Sequence, residues 1–177
     1  MLRLRLVVVI ALILPTVACV TVIRDLSVGP VSVLKPPAVS DWPVDHPVIS
    51  VSLRTHKNLS RVAEPYLIDA ETVFCDSPRE LTLLGPPFIY VGWPPILLAK
   101  AASSRDDSGT YTYEVLMDMK GDASPKPSRE VGFDFISAPR SVCIKIKEKY
   151  FGSYLISNTV EVSAVQIREA LDVYQAQ

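Results

Sequence analysis

Between Thr110 and Lys120 the chain alternates without a break. Tyr111, Tyr113, Val115, Met117 and Met119 fall on one side; Thr112, Glu114, Leu116, Asp118 and Lys120 fall on the other. A period of two marks a strand that buries one face, because successive side chains on a pleated backbone point to opposite sides. The pattern recurs along the chain. Val48–Arg54 sets Ile49, Val51 and Leu53 against Ser50, Ser52 and Arg54. In Tyr66–Asp76, Ile68, Ala70 and Phe74 oppose Asp69, Glu71, Val73 and Cys75. Val142–Tyr150 sets Val142, Ile144 and Ile146 against Cys143, Lys145, Lys147 and Lys149. Val131–Ile136 points Val131, Phe133 and Phe135 inward, and Tyr154–Val162 groups Ile156, Val160 and Val162. Fifteen prolines against seven glycines punctuate these runs, as expected where proline is confined to loops, strand ends and non-pairing edges. Short strands spaced by turn signals predict an all-β fold, a two-sheet antiparallel sandwich, with a closed barrel as the alternative.

The chain closes differently. Ser163 stands three residues before Gln166, the spacing of a capping box. Ile167, Leu171 and Tyr174 recur at helical spacing. A short C-terminal α-helix over 163–177 follows.

The other end carries an address. Arg3 and Arg5 precede the apolar run Leu6–Leu14, and Ala18 is a small residue at a cleavage position. A basic flank, an apolar run of this length and a small-residue site define a secretory signal, here residues 1–18. Thr16-Val17-Ala18-Cys19 resembles the lipobox of bacterial lipoproteins, although leucine is usual where Thr16 stands. The resemblance implies cleavage before Cys19, acylation of Cys19, and, with Val20 rather than aspartate next, an outer-membrane address in the cell envelope facing the periplasm. Two alternatives stay open: plain secretion, and an uncleaved anchor, since Leu6–Ile23 is close to the ~18-residue minimum for a span.

The chain has three cysteines, Cys19, Cys75 and Cys143. If Cys19 carries lipid, as the resemblance implies, Cys75 and Cys143 are left for each other, and an oxidising compartment would pair them. Two separate buried thiols are the alternative. Both cysteines fall on the polar side of their strands, so such a bond lies near the outer surface and brings Tyr66–Asp76 beside Val142–Tyr150. Residues 19–47 hold five prolines and suggest a stiff, lipid-anchored tether, with 48–162 as the sandwich. Val28–Leu34 as an edge strand of the fold is the competing reading.

Asp107-Ser108-Gly109-Thr110-Tyr111 resembles the tyrosine-corner motif of immunoglobulin domains, which implies an immunoglobulin-like layout. The position two residues after the tyrosine is Tyr113 here, where that family has cysteine.

Chemistry is sparse. A net charge of −1 argues against nucleic acid as a partner, since phosphate binding needs a basic surface. No nucleophile elbow, phosphate loop or zinc spacing occurs, and no cofactor is expected. His46 and His56 are the two histidines. Asp106, Asp107, Asp118 and Asp122 would ligate calcium only if two loops met, and solvated turn aspartates are the plainer reading. Lys145, Lys147 and Lys149 form a charged strand face. Phe88, Tyr90 and Trp93, beside rigid proline pairs, are the candidate surface for an envelope protein partner, because rigid aromatics supply contact area at low ordering cost; core packing is the plainer use of Phe88 and Tyr90, which leaves Trp93 as the residue to test. The expectation is a non-enzymatic lipoprotein module held to the membrane by its N-terminal lipid; an exported enzyme or small-ligand binder is the alternative.

Overall fold

The computed structural model describes residues 20–35, 46–62, 68–77, 84, 88–91, 96–98, 105–121, 132–148 and 155–177. Twelve strands are described: β1 (Thr21–Ile23), β2 (Ser27–Leu34), β3 (Val48–Thr55), β4 (Ile68–Phe74), β5 (Ile89–Val91), β6 (Ile96–Leu97), β7 (Tyr111–Asp118), β8 (Lys120–Gly121), β9 (Phe133–Asp134), β10 (Val142–Glu148), β11 (Leu155–Ser157) and β12 (Val160–Val162). Two helices join them, the single turn α1 (Leu59–Val62) and the terminal α2 (Ala164–Gln175). No helix among the described residues is long and apolar enough to cross a membrane.

The strands form an all-β sandwich. One sheet runs β2-β3-β7-β5-β6, wholly antiparallel. The other is centred on β10, which pairs β4 along one side and β11 and β12 along the other, with β1 outside β11. A third ribbon, β8-β9, has two strands. The inward positions of the alternating runs are buried together: Ile49, Val51, Leu53, Tyr113, Val115 and Met117 from one sheet meet Ala70, Phe74, Val142, Ile144 and Ile146 from the other. Removing this apolar surface from water is the dominant favourable term in folding.

Thr21–Ile23 and Ser27–Leu34 correct the tether reading. β1 pairs parallel with β11, Val22 opposite Ile156, and β2 pairs antiparallel with β3. The Gly29-Pro30 step that suggests a linker is a register shift between Val28 and Val31. Proline fits there because β2 is an edge strand, and a bulge blunts such an edge against pairing with other chains. Between β1 and β2 the chain crosses from one sheet to the other. Residues 36–45 lie outside those described.

Val160 and Val162 do share the inner side, but Ile156 does not. Lys147 pairs Ile156, whereas Cys143 pairs Glu161, so the register slips by one residue between β11 and β12. A one-residue slip exchanges the two faces of a strand. Leu155 and Ser157 therefore point inward and are buried. The Ser157 hydroxyl accepts from the Ile146 N–H at 2.8 Å and donates to the Asn158 carbonyl at 2.7 Å, which satisfies the break.

Helix α2 starts on the expected cap. Ser163 Oγ accepts from the Gln166 N–H, and the Gln166 side chain accepts from the Ser163 N–H at 2.9 Å. The Ala164 N–H also donates to Ser141 Oγ, tying the first turn to the start of β10. Ile167, Ala170 and Leu171 are buried.

Candidate functional site

Cys75 and Cys143 are joined, with Cα atoms 5.0 Å apart. Cys143 stands opposite Val73 on β4, and the Cys75 N–H donates to the Ser141 carbonyl, so the bond runs diagonally between neighbouring strands of one sheet. Both residues are half-buried on the outer face. An immunoglobulin core disulfide joins two sheets; this one does not. Beside it, the Arg140 guanidinium lies 3.8 Å from the centroid of the Phe74 ring and pairs with Asp76. The hydrogen bond from Arg140 holds the Asp76 carboxyl below its ordinary range.

The outer face of the β10 sheet is charged. Lys145 and Lys147 oppose Glu71 and Asp69 across β4, and Lys147 Nζ lies 2.9 Å from Glu71 Oε2. The lysine run thus has a carboxylate run beside it; Lys149 lies outside the described residues.

The tyrosine-corner segment builds a turn. Asp106 Oδ1 accepts from the Ser108 hydroxyl at 2.6 Å and the Thr110 N–H at 2.8 Å. The Ser108 hydroxyl, then the Thr110 N–H, holds the Asp106 carboxyl below its ordinary range. Gly109 takes φ 85°, which a side chain would strain. The upstream anchor is Tyr113, not Tyr111. The Tyr113 hydroxyl, on a fully buried side chain, accepts from the Leu59 N–H at 2.9 Å and donates to the Lys57 carbonyl at 3.2 Å.

Each histidine meets an aspartate. His46 Nε2 lies 2.9 Å from Asp118 Oδ1, and His56 Nδ1 lies 2.8 Å from Asp25 Oδ2. The pairs sit beyond opposite ends of β3, an eight-residue strand that holds them about 25 Å apart at ~3.3 Å per residue. They are two separate surface clasps rather than parts of one centre. Among the described residues no group of three or more His, Cys, Asp or Glu could hold a metal ion. Asp122 lies outside those residues.

The expected aromatic surface divides. Phe88 is 42% exposed, but Tyr90 is 1% exposed, so Tyr90 is not a contact surface. Tyr90 faces outward from its sheet, yet packs with Val48 and Leu116 in a small apolar cluster on that face. Alternation alone cannot show that an outer face is also buried. Trp93 lies outside the described residues, as does Cys19.

The larger of the two described cavities lies elsewhere, between edge strand β2 and helix α2. Gly29, Pro30, Val31 and Val33 form one wall; Ala170, Val173 and Tyr174 form the other, with Glu169 at the polar margin. Its volume is about 350 Å³, at the small end of ligand-sized clefts. The Lys35 ammonium lies over the Tyr174 ring, 5.3 Å from its centroid. Val173 is 62% exposed. No histidine or cysteine lines the groove, and its apolar walls suit an apolar side chain better than a reacting polar bond. The sequence holds one signal for it: Val173 lies off the Ile167–Leu171–Tyr174 stripe, an apolar residue on a second side of α2.

No family model, no curated protein and no solved structure matches the chain.

Proposed function

We propose that this is an exported, membrane-anchored β-sandwich module that works by binding a protein partner in the cell envelope, not by catalysis. The observation that carries the reading is the Cys75–Cys143 bond. A formed disulfide fits an oxidising compartment, and it leaves Cys19 as the odd cysteine, at the position the lipobox resemblance assigns to acylation. The partner surface fits the β2–α2 groove and exposed Phe88 better than buried Tyr90. A second reading, a small-ligand binder, is favoured by the volume of the same groove.

The test is cell fractionation with intact mass of the membrane-extracted chain. Loss of residues 1–18 and a mass increment for acyl chains on Cys19 would support the anchor. A Cys19→Ala variant that is still cleaved and still fractionates with membranes would overturn it.

A further inference from the structure

One register row crosses the whole outer face of the β10 sheet. Val22 on β1 stands opposite Ile156 on β11, Ile156 opposite Lys147 on β10, and Lys147 opposite Asp69 on β4. All four point outward, since the flanking Ile23, Leu155, Ile146 and Ala70 are in the core. The row is graded: apolar, apolar, basic, acidic. With neighbouring strands about 4.8 Å apart, the acidic end lies roughly 14 Å from the apolar end. Val22 is 44% exposed and Val20, just before β1, is 54% exposed. Val20 and Val22 together leave one sheet edge apolar, and a lipid boundary would cover it.

The position of this edge in the chain names the occupant. Val20 directly follows Cys19, and the apolar run Leu6–Leu14 lies upstream. Two residues span at most about 7 Å, so a chain anchored at Cys19 has no slack to lift β1 from a membrane. The expected standoff over 19–47 is therefore replaced by close apposition.

We infer that the β1–β11 edge of this sheet is the membrane-facing surface of the domain, with Val20 and Val22 seated at the headgroup boundary of the bilayer. The inference rests on the anchored reading above. Lys147, one strand farther in, turns its ammonium away from this edge to pair with Glu71 on β4, so no charge is set against the apolar edge. Asp69 and Glu71 sit on the strand farthest from the lipid, where repulsion from anionic headgroups is smallest.

The experiment uses the full chain bearing a benzophenone side chain at position 22, 20 or 173. It is reconstituted with vesicles of phosphatidylcholine and phosphatidylglycerol, and vesicle-bound protein is isolated by flotation. After illumination, lipid adducts are counted by intact mass. Positions 20 and 22 should yield adducts several-fold more often than position 173 on α2. Equal yields at 22 and 173 in floated protein would overturn the orientation and leave the anchor standing. Protein that fails to float would overturn both. Position 20 lies outside the strand, so it carries the test if the position-22 variant loses the Cys75–Cys143 bond by mass.

Discussion

Asn158 holds Leu26 by both of its backbone polar groups. Its side-chain Oδ1 accepts from the Leu26 N–H at 3.0 Å, and its Nδ2 donates to the Leu26 carbonyl at 2.9 Å. The Asn158 N–H donates in turn to the Ile23 carbonyl at 2.8 Å. One side chain thus imitates a strand neighbour at the point where the chain leaves β1 for β2. Asn158→Ala would strand two partly buried groups on Leu26, and leaving such groups unmade costs about 1–3 kcal/mol each. Urea unfolding should show a lower midpoint with unchanged slope, and Asn158→Asp, which keeps only the acceptor, should fall between.

Two buried tyrosines should respond oppositely to loss of their hydroxyls. Tyr113→Phe removes the acceptor of the buried Leu59 N–H and should cost about 1–3 kcal/mol. The Tyr90 hydroxyl is buried and has no hydrogen-bond partner among the described residues. Tyr90→Phe should be neutral or stabilising, since an unpaired buried hydroxyl is itself a cost. Chemical denaturation of the two variants side by side decides this.

Tyr90 also gives an alkaline signature. Burial pushes its phenol up to about 12 from 10.0. A raised folded-state value means that the neutral form is favoured in the fold. Its contribution is complete below pH 10 and is lost as pH rises toward 12. Ultraviolet titration should show tyrosine absorbance still rising as pH approaches 12, and Tyr90→Phe should reduce that late rise by one tyrosine.

The acid side is governed in part by Asp25. Burial raises its carboxyl, but hydrogen bonds from the His56 N–H and ring and from the Thr55 hydroxyl outweigh burial and hold it below 3.8. A lowered folded-state value means the contribution is complete above 3.8 and is lost as pH falls below it. Asp25→Asn should therefore destabilise at pH 7, and its deficit against wild type should shrink at pH 3. An equal deficit at both values would show that the carboxylate charge is irrelevant.

Removing the disulfide by Cys75→Ser with Cys143→Ser opens a loop with a sequence separation of 68. The cost should be about 2–4 kcal/mol, mainly through the unfolded chain. The β4–β10 register should survive, because its seven residue pairs do not depend on the bond; backbone amide exchange along Ile68–Phe74 reports it.

What the sequence made legible was local or periodic. Val142, Ile144 and Ile146 declare their burial by alternation, and that count also places Cys143 outward and Cys75 with it. Ser163 and Gln166 declare the helix start through a reciprocal contact three residues long. What stayed hidden depends on partners far along the chain. Pro30 fits a linker as well as the edge strand over Val28–Leu34 that the structure has, because nothing near it in sequence announces the bulge. Ile156 looks inward because the slip that turns it outward is accommodated at Ser157. Tyr90 reads as core or as surface, because Val48 and Leu116 reach it only across the sheet. The groove shows in the sequence only as Val173 off the helical stripe, since one wall comes from β2 and the other from a helix more than a hundred residues later.

The pairing of β1 with β11 also sets an order of events. Thr21 finds Leu155, and Leu26 finds Asn158 132 positions away. Strand β1 has no pairing partner until the chain has been made as far as Leu155. Contacts of such long range slow folding, because loop closure must precede their reward. β1 therefore waits on β11, and the segment that comes early in the chain is locked in place late.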